Sequence, residues 1–416
     1  MTKFLILFLT ITSPAFAESE SLSVILKAAL QNSQKIQAAH DSEKIAKLRI
    51  SLAHTGYMPT IYAEAIDSRG FSGSTGQLGI GGLMGSPYRS GWGYGLVATQ
   101  PIYDFGRTSN ASEHAEKEFD VQKANTELSE NEVLKAAFET YLQCSLVRTQ
   151  VDNWTDIEKL ATLSKNEMGR FVRTGQRSII EDLLAKTQVD EAISSKSTFD
   201  SHLSLIKKRL ALLTGLDEKK LDCPLLSEFS VGDILTAQEK QNPLLKKAQL
   251  EKDAAEALVN EAKSEYRPRL VALASVGEVE DVRVVKRQNY AVGVGLIIPI
   301  FDANKTNVKV DQAKAQSAQK QNELGATQQS VDDTNAYFDE LITSTSVQLK
   351  YLKIELSDSE LALKNARERY FTLKGNLADL RETIRNLSRA KTSLFETQAQ
   401  LFRAQGLKAI YNGVKF

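Results

Sequence analysis

Two pairs of acidic residues are the best candidates in the sequence for a site that binds a charged ligand. Each group follows a short polar turn with one glycine, and the members are Glu181 with Asp182 and Asp379 with Glu382. Asp379 and Glu382 have i and i+3 spacing, which puts their carboxylates on one face of a helix. Carboxylates held close together repel each other, have raised pKa values and attract cations. The spacing therefore predicts an acidic surface that attracts cations.

The same charges also fit a plainer interpretation, a solvated helix surface. Arg381 and Arg385 stand beside Asp379 and Glu382 and would neutralise their field. Charged runs on helices most often face solvent. Both interpretations stay open from the sequence alone.

The residue types that enzymes and metal sites need are sparse. The chain has four histidines without a His-x-x-x-His pair, and no glycine-rich phosphate loop follows a strand. Its two cysteines, Cys144 and Cys223, fit neither a zinc site nor a disulfide-rich scaffold, because these need clustered ligands or several pairs. Cys144 lies on an apolar helical stripe and is predicted to be a packed thiol. We expect no catalytic residues, no metal site and no cofactor.

The charge balance argues against nucleic acid as a partner. Lys plus Arg and Asp plus Glu both number 52, so the formal net charge is zero, and the two signs are interspersed. A chain without a basic field has little attraction for a phosphate backbone. We therefore expect no nucleic-acid binding.

Residues 1–17 have the pattern of a signal peptide. Lys3 precedes an apolar run over residues 4–11, and an Ala-x-Ala cleavage pattern ends at Ala17. The alternative is an uncleaved anchor, but a helix that crosses a bilayer needs about 20 apolar residues. We therefore expect an exported chain that starts at Glu18.

Two long segments lack proline and are rich in good helix formers. Residues 102–223 and 300–416 contain none of the eight prolines, and Ala, Gln, Glu, Lys and Leu are abundant in both. Because proline breaks a helix interior, its absence permits very long helices. Apolar residues recur at alternating steps of three and four, which indicates narrow coiled-coil seams. One seam comprises Leu134, Ala137, Tyr141, Cys144, Val147, Val151 and Trp154, and another comprises Leu387, Ala390, Leu394, Thr397, Leu401 and Ala404.

Each long segment also contains a glycine between polar residues, Gly175 in the first and Gly375 in the second. Glycine suits a tight turn between antiparallel helices, so each segment is predicted to form a helical hairpin. Arms of roughly 50 to 60 residues would be about 75 to 90 Å long.

Between the helical segments the apolar period changes to two. Residues 92–98 and 290–298 place bulky apolar side chains at alternate positions, with mostly glycine or alanine between them. This alternation predicts strands with one face towards lipid or a packed core and the other towards a crowded or aqueous interior. Weaker strands follow Pro59 and Pro268, so the chain is predicted to form two β-hairpins. Trp92 and Tyr94 belong either to an interfacial aromatic girdle or to the packed wall.

The two halves of the chain repeat one order of elements. Matching positions are Asn32 and Asn242, Pro59 and Pro268, Pro101 and Pro299, and Gly175 and Gly375. The intervals between successive positions are 27 and 26, 42 and 31, and 74 and 76 residues, so only the hairpin interval differs much. This match indicates an internal duplication of helix, hairpin, long helix and long helix.

The duplication predicts how the chain is divided. The predicted segments are a signal peptide (1–17), first-half helices (18–58), a first β-hairpin (59–104) with an extracellular loop (71–91), a first long helical hairpin (105–214), an equatorial segment (215–242), a second-half helix (243–267), a second β-hairpin (268–302), a second long helical hairpin (303–405) and a C-terminal tail (406–416).

This order resembles the outer-membrane efflux protein family, the TolC-like channels, over essentially the whole chain after the signal peptide. The similar motifs are Gln241-Asn242-Pro243-Leu244 with Tyr266-x-Pro268, Gly295-Leu296-x-x-Pro299-Ile300-Phe301-Asp302, Gly175 with Glu181-Asp182-Leu183-Leu184, and Ala211-Leu212-Leu213-Thr214-Gly215. Two positions depart from the family pattern. Ser33 stands where the family has proline, and the second turn is two residues shorter before its acidic pair.

The resemblance implies a mainly α chain with a small β part, which forms a homotrimer in the outer membrane of a Gram-negative bacterium with a large periplasmic part. Duplicated long-helix hairpins would form a trimeric α-helical barrel, and four strands per chain would contribute to a 12-stranded transmembrane β-barrel in contact with outer-membrane lipid. Open strand edges cannot face lipid, so a ring of chains must close the barrel.

The resemblance also implies a function. Such channels are passive exit ducts of tripartite export systems, joined through a periplasmic adaptor (a membrane fusion protein) to an inner-membrane pump. The adaptor-docking tips would be Arg173, Thr174, Gly175, Gln176, Lys374, Gly375 and Asn376, and the pore constriction would be formed by Asp379 and Glu382. Small-molecule efflux and type I protein secretion both stay open. A periplasmic coiled-coil adaptor, or a structural protein of an export complex, is the alternative from another class.

Overall fold

The computed structural model describes residues 21–68, 91–219, 221–232, 241–281 and 284–413. The predicted signal peptide lies outside the described residues, as does the predicted extracellular loop except for Gly91. Contacts divide the chain into two units, each considered by itself. Unit 1 comprises residues 1–36, 129–242 and 332–416, and unit 2 comprises residues 37–128 and 243–331.

Helices and strands follow the predicted duplicated order. The first half contains α1 (Leu22–Asn32), α2 (Gln34–His54), a 3₁₀ turn (Thr55–Tyr57), β1 (Thr60–Ser68), β2 (Gly91–Tyr103), α3 (Arg107–Arg173) and α4 (Ile179–Thr214). The second half contains α5 (Pro243–Ser264), β3 (Arg269–Asp281), β4 (Val284–Ile297), α6 (Lys305–Phe371) and α7 (Leu377–Tyr411). The predicted fold class, a mainly helical chain with duplicated long-helix hairpins and four strands, is confirmed.

The arms of each hairpin are unequal, which corrects the expected 50 to 60 residues per arm. Helices α3 and α6 each have 67 residues, about 100 Å of helix. Their partners α4 and α7 have 36 and 35 residues. The first arm of each hairpin, α3 or α6, is long because its helix begins soon after the preceding strand, β2 or β4. Its partner α4 is short because Gly215, at φ 72, takes the left-handed C-cap conformation and ends the helix.

The predicted coiled-coil seams are the buried faces of these helices in unit 1. On α3 the seam residues from Leu134 to Val151 are buried, and Trp154 is partly buried. On α7, Leu387, Ala390, Leu394, Thr397 and Ala404 are buried. The opposite faces carry charged residues, as expected of narrow apolar stripes. Among the described residues, no helix is long and apolar enough to cross a membrane.

The four strands form one antiparallel sheet in unit 2, in the order β1-β2-β3-β4. Its register aligns Ala63 with Leu96, Leu96 with Val276, and Val276 with Tyr290. Since alternate side chains share a face, all four predicted apolar stripes lie on the same side of the sheet. The members are Ile61, Ala63 and Ala65, then Tyr94, Leu96 and Ala98, then Leu270, Ala272, Ala274 and Val276, and finally Tyr290, Val292, Val294 and Leu296.

That face is apolar and open to the surroundings. Tyr290 and Val292 are each 86% exposed. Val97 and Val271, which belong to the other face, are buried. Tyr94 is half-exposed on the apolar face, where its hydroxyl donates to Glu278 Oε2 at 2.9 Å.

Cys144 and Cys223 form a disulfide with a Cα–Cα distance of 5.8 Å. The prediction of a packed thiol at Cys144 is therefore wrong. The bond joins the middle of α3 to the segment 221–232, both in unit 1, and both residues are buried. Two cysteines 79 residues apart give no sequence signal of pairing, because only the path of the chain after α4 brings them together.

Candidate functional site

The first hairpin turn closes α3 with a glycine in the left-handed region. Gly175 has φ +71, its N–H donates to Val172 O at 3.1 Å, and the N–H of Gln176 donates to Phe171 O at 2.9 Å. This pair of hydrogen bonds is the Schellman motif, which favours glycine at the left-handed residue. A side chain at Gly175 would meet no atom within 4 Å. Glycine is therefore required here by backbone conformation and not by space.

The second hairpin turn has the same hydrogen bonds with a different residue in the left-handed position. Leu373 has φ 61, its N–H donates to Tyr370 O, and the N–H of Lys374 donates to Arg369 O at 2.9 Å. Gly375 lies in the predicted turn between the two helices, but the left-handed position there belongs to Leu373. A Cβ at Gly375 would lie 3.1 Å from the backbone nitrogen of Tyr370, so the close approach of the chain favours glycine here.

Polar caps begin the returning helices. Ser178 precedes α4, and its hydroxyl accepts from the N–H of Ile180 at 3.2 Å. Asn376 precedes α7, and its side-chain oxygen accepts from the N–H of Asp379 at 2.7 Å. Each cap satisfies an N–H that the first helical turn leaves open. The caps fix where α4 and α7 begin and so where the acidic pairs lie.

A cluster of Arg177, Glu181 and Tyr370, here called the tip cluster, joins the two turns within unit 1. The guanidinium of Arg177 donates to Gly375 O at 2.9 Å and to Tyr370 O at 3.3 Å. It also lies over the Tyr370 ring at 4.5 Å from the centroid. The Tyr370 hydroxyl donates to Glu181 Oε2 at 2.9 Å. The first turn thus supplies a cation and a carboxylate that hold the end of α6.

Tyr370 is the buried centre of the tip cluster. It is fully buried, and Phe171 stacks on the adjacent Phe371 at 6.1 Å. Burial and the hydrogen bond to Glu181 raise the pKa of the Tyr370 phenol well above its ordinary value. The phenol therefore stays protonated and acts as a donor at neutral pH.

The sequence did not predict the roles of Arg177 and Tyr370. The predicted docking residues of the first turn end at Gln176, one residue before the arginine. Arg177 and Tyr370 are separated by 193 residues, so no local spacing joins them. The available signal was weak: an aromatic residue five positions before Gly375, at the end of a seam.

The predicted docking residues lie at the ends of the two hairpins. Arg173, Thr174, Gly175 and Gln176 are exposed, as are Lys374 and Asn376, whereas Gly375 is half-buried. The exposed side chains leave the turns open to a partner. The inner side of the turns is occupied by the tip cluster.

The second acidic pair lies on the first turns of α7. Asp379 and Glu382 are both exposed. Glu382 pairs with Arg385 at 3.4 Å on the same helix, as the plainer interpretation expected for that residue. Asp379 has no ion-pair partner in the part of the chain that the structure describes. Within this pair, Asp379 is therefore the carboxylate without a compensating cation among the described residues.

The first acidic pair, Glu181 and Asp182, makes its contacts with other residues of the same chain. Glu181 accepts from Tyr370, and Arg177 Nη1 lies 3.8 Å from its other oxygen. Asp182 is half-buried against α3, where its carboxylate would be 3.4 Å from a Cβ at Gly169. Of the four acids that the sequence singles out, the second pair is thus the more available to surroundings outside the chain.

Comparison with known proteins relates this architecture to outer-membrane channels. The chain matches the family described as outer membrane efflux protein over residues 25–216 and 235–411. It is 24% identical to the outer membrane protein TolC of Vibrio cholerae over 208 residues. That match covers 49% of this chain and 46% of the relative, so the chain aligns with about half the length of the relative.

Solved structures with the same fold cover nearly the whole chain. The outer membrane protein VceC of Vibrio cholerae has a TM-score of 0.77 at 15% identity, with 94% of this chain and 96% of that chain covered. The MtrE outer membrane channel of Neisseria gonorrhoeae, in its open state, has a TM-score of 0.72 at 19% identity, with 94% and 88% covered. The chain therefore belongs to the outer membrane efflux protein family, whose members lie in the outer membrane of Gram-negative bacteria.

Proposed function

We propose that this protein is the passive exit duct of a tripartite export system, joined by a periplasmic adaptor to an inner-membrane pump. The observation that carries the proposal is a sheet with one exposed apolar face, in a chain of the efflux family that also has two long helical hairpins. The apolar face suits outer-membrane lipid, and long amphipathic hairpins suit the wall of a duct. The duct needs no catalytic residue, because the pump supplies the energy.

The oligomer follows from the edges of the sheet. Among the described residues, strands β1 and β4 each pair with one neighbouring strand, since the order is β1-β2-β3-β4. Unpaired edges are costly in lipid, so the edges of neighbouring chains must meet. The family supplies the number of chains: a homotrimer, with four strands from each chain, would close a 12-stranded ring by cyclic symmetry. Light scattering of the detergent-solubilised protein should give the mass of three chains, and a monodisperse monomer would contradict the proposal.

The hairpin turns are the proposed adaptor-docking tips. Arg173, Thr174, Gln176, Lys374 and Asn376 offer exposed polar side chains around two capped turns. Gln176 contributes its backbone N–H to the turn, so a new side chain there leaves the turn hydrogen bonds in place. Gln176→Trp should abolish export while the yield of trimer stays unchanged. Gln321→Trp, at an exposed position of α6, is the matched control and should export normally.

The proposed pore constriction consists of Asp379 and Glu382 from each chain of the trimer. Since Arg385 already pairs with Glu382, we expect Asp379 to dominate cation binding.

Single-channel conductance in planar bilayers should be blocked by millimolar trivalent cations. Asp379→Asn should relieve the block more than Glu382→Gln, and Arg385→Gln should strengthen it. Asp358→Asn, an exposed acid of α6, should change nothing. Unchanged block in the Asp379→Asn, Glu382→Gln double variant would place the constriction elsewhere.

The adaptor alternative makes a different prediction about the cell surface. Protease added to intact cells should cleave a duct within the predicted loop 71–91, whereas an adaptor exposes nothing outside the cell. Family membership favours the duct. Small-molecule efflux and type I protein secretion both fit this architecture. Export assays with the genes of candidate pumps would separate them.

A further inference from the structure

A cleft of about 420 Å³ lies between the two helical hairpins within unit 1. Its walls come from α3, α4 and α7. The volume falls within the range of small-molecule sites, roughly 300 to 1,000 Å³. The docking tips and the acidic pair of the proposed constriction do not line this cleft.

Three arginines of α7 line the cleft. Arg381, Arg385 and Arg389 follow at i, i+4 and i+8, so their side chains lie along one helix face. Like charges at this spacing destabilise a helix. Glu191 of α4 is the carboxylate in the same lining, so the cationic groups outnumber the anionic one by three to one. The cleft therefore has a local positive charge in a chain whose net charge is zero.

These arginines have little compensation from the protein itself. Arg385 pairs with Glu382 at 3.4 Å, and both side chains are about half exposed. Arg381 and Arg389 have no ion-pair partner among the described residues. The Nε atom of Arg381 is buried and has no hydrogen-bond acceptor there. A buried donor without an acceptor is costly, and guanidinium groups match the oxygens of carboxylates and phosphates.

The rest of the lining indicates the shape of a ligand. Ser388 and Thr392 place hydroxyl groups beside the arginine row. Trp154 and Ile384 supply an indole ring and an aliphatic side chain on the same cleft. A lining that combines cations, hydroxyl groups and an aromatic ring suits a molecule with an anionic head and an apolar body.

We propose that this cleft binds a small amphipathic organic anion, whose carboxylate or phosphate head lies on the arginine row and whose body packs against Trp154. The site goes beyond the proposed exit duct and does not depend on it. A bound anion would bridge α7 to α3 and α4 and so hold the two hairpins together. Binding to the folded state alone would also raise the thermal stability of the protein.

Fluorine NMR of the full-length protein in nanodiscs tests the site with three probes that share one aromatic body. The probes are 4-(trifluoromethyl)benzoate, 4-(trifluoromethyl)phenyl phosphate and the neutral 4-(trifluoromethyl)benzamide. We expect at least one anionic probe to bind about tenfold more tightly than the benzamide. The tighter anion identifies the preferred head group.

Matched variants assign the binding to the cleft. Arg389→Gln should weaken the anion about tenfold. Lys391→Gln makes the same charge change two residues away, outside the lining, and should have no effect. Arg389→Lys keeps the charge and should retain part of the affinity if the fold is intact. Equal binding of benzoate, phosphate and benzamide, or equal effects of Arg389→Gln and Lys391→Gln, would overturn the proposal.

Discussion

The two hairpin turns follow helices of equal length, 67 residues each, and contain the same pattern of backbone hydrogen bonds. They differ in which residue takes the left-handed backbone conformation. In the first turn Gly175 occupies the left-handed position and has open space around it. In the second turn Leu373 occupies that position, and Gly375 lies against the backbone of Tyr370. Matching glycines in a duplicated sequence can therefore serve different physical needs.

The difference also gives the two turns different tasks. The first turn provides Arg177 and Glu181, which hold the second turn through its carbonyls and the Tyr370 hydroxyl. The second turn provides the close packing that brings those carbonyls within reach. The two hairpins of the duplication are thus similar in structure, but the first turn supplies the side chains of the contact and the second supplies the backbone carbonyls and the phenol.

The largest expected effect comes from removing the cation that joins the turns. Arg177→Met leaves the carbonyls of Tyr370 and Gly375 without this donor, which should lower the local free energy of opening at both turns by about 2 to 3 kcal/mol. Hydrogen-exchange mass spectrometry of peptides from both turns measures this change. Arg173→Met, at an exposed position of the same turn, is the control. Loss of protection in the first turn alone would show that Arg177 does not join them.

Substituting the two glycines tests their different roles directly. Gly375→Val places side-chain atoms against the Tyr370 backbone and should cost about 2 kcal/mol by overpacking. Gly175→Ala places a methyl group in open space and should cost about 1 kcal/mol, from the left-handed backbone alone. Denaturant-dependent hydrogen exchange gives both values. Equal costs for the pair would remove the distinction between close approach and conformation.

A smaller effect is expected when the phenol hydroxyl is removed from the tip cluster. Tyr370→Phe keeps the buried ring but removes the donor to Glu181, which should cost about 1 kcal/mol of local stability. Tyr337→Phe, at a tyrosine that is 62% exposed, is the control and should be neutral. If Tyr370→Phe leaves exchange at the first turn unchanged, the hydrogen bond does not couple the turns.

The smallest effect has the opposite sign. Leu373 is about half exposed and holds φ 61, a conformation that costs a leucine more than a glycine. Leu373→Gly should therefore stabilise the second turn by about 0.5 to 1 kcal/mol. Leu361→Gly, within α6, should destabilise by about 1 kcal/mol because glycine disfavours a helix. Destabilisation by Leu373→Gly would mean that the leucine side chain contributes packing that outweighs its backbone strain.

The sequence by itself determined the class of fold and the order of its elements. Periods of two and of 3.6 residues reflect local geometry, so the strands and the buried seams were found from spacing alone. The register then placed all four apolar stripes on one face, because alternation along each strand leaves few other arrangements. Proline-free runs showed where long helices are permitted, and the duplication indicated the family.

Tertiary structure decided what depends on residues distant in sequence. The Cys144 and Cys223 pair, the tip cluster and the arginine-lined cleft each join segments that no local pattern connects. The unequal helix arms and the left-handed Leu373 also escaped prediction, since the cost of a strained residue or an early helix end is small beside the packing around it. Local pattern fixes the elements because their energies are local, whereas the sites between the elements arise from contacts that only the folded chain brings together.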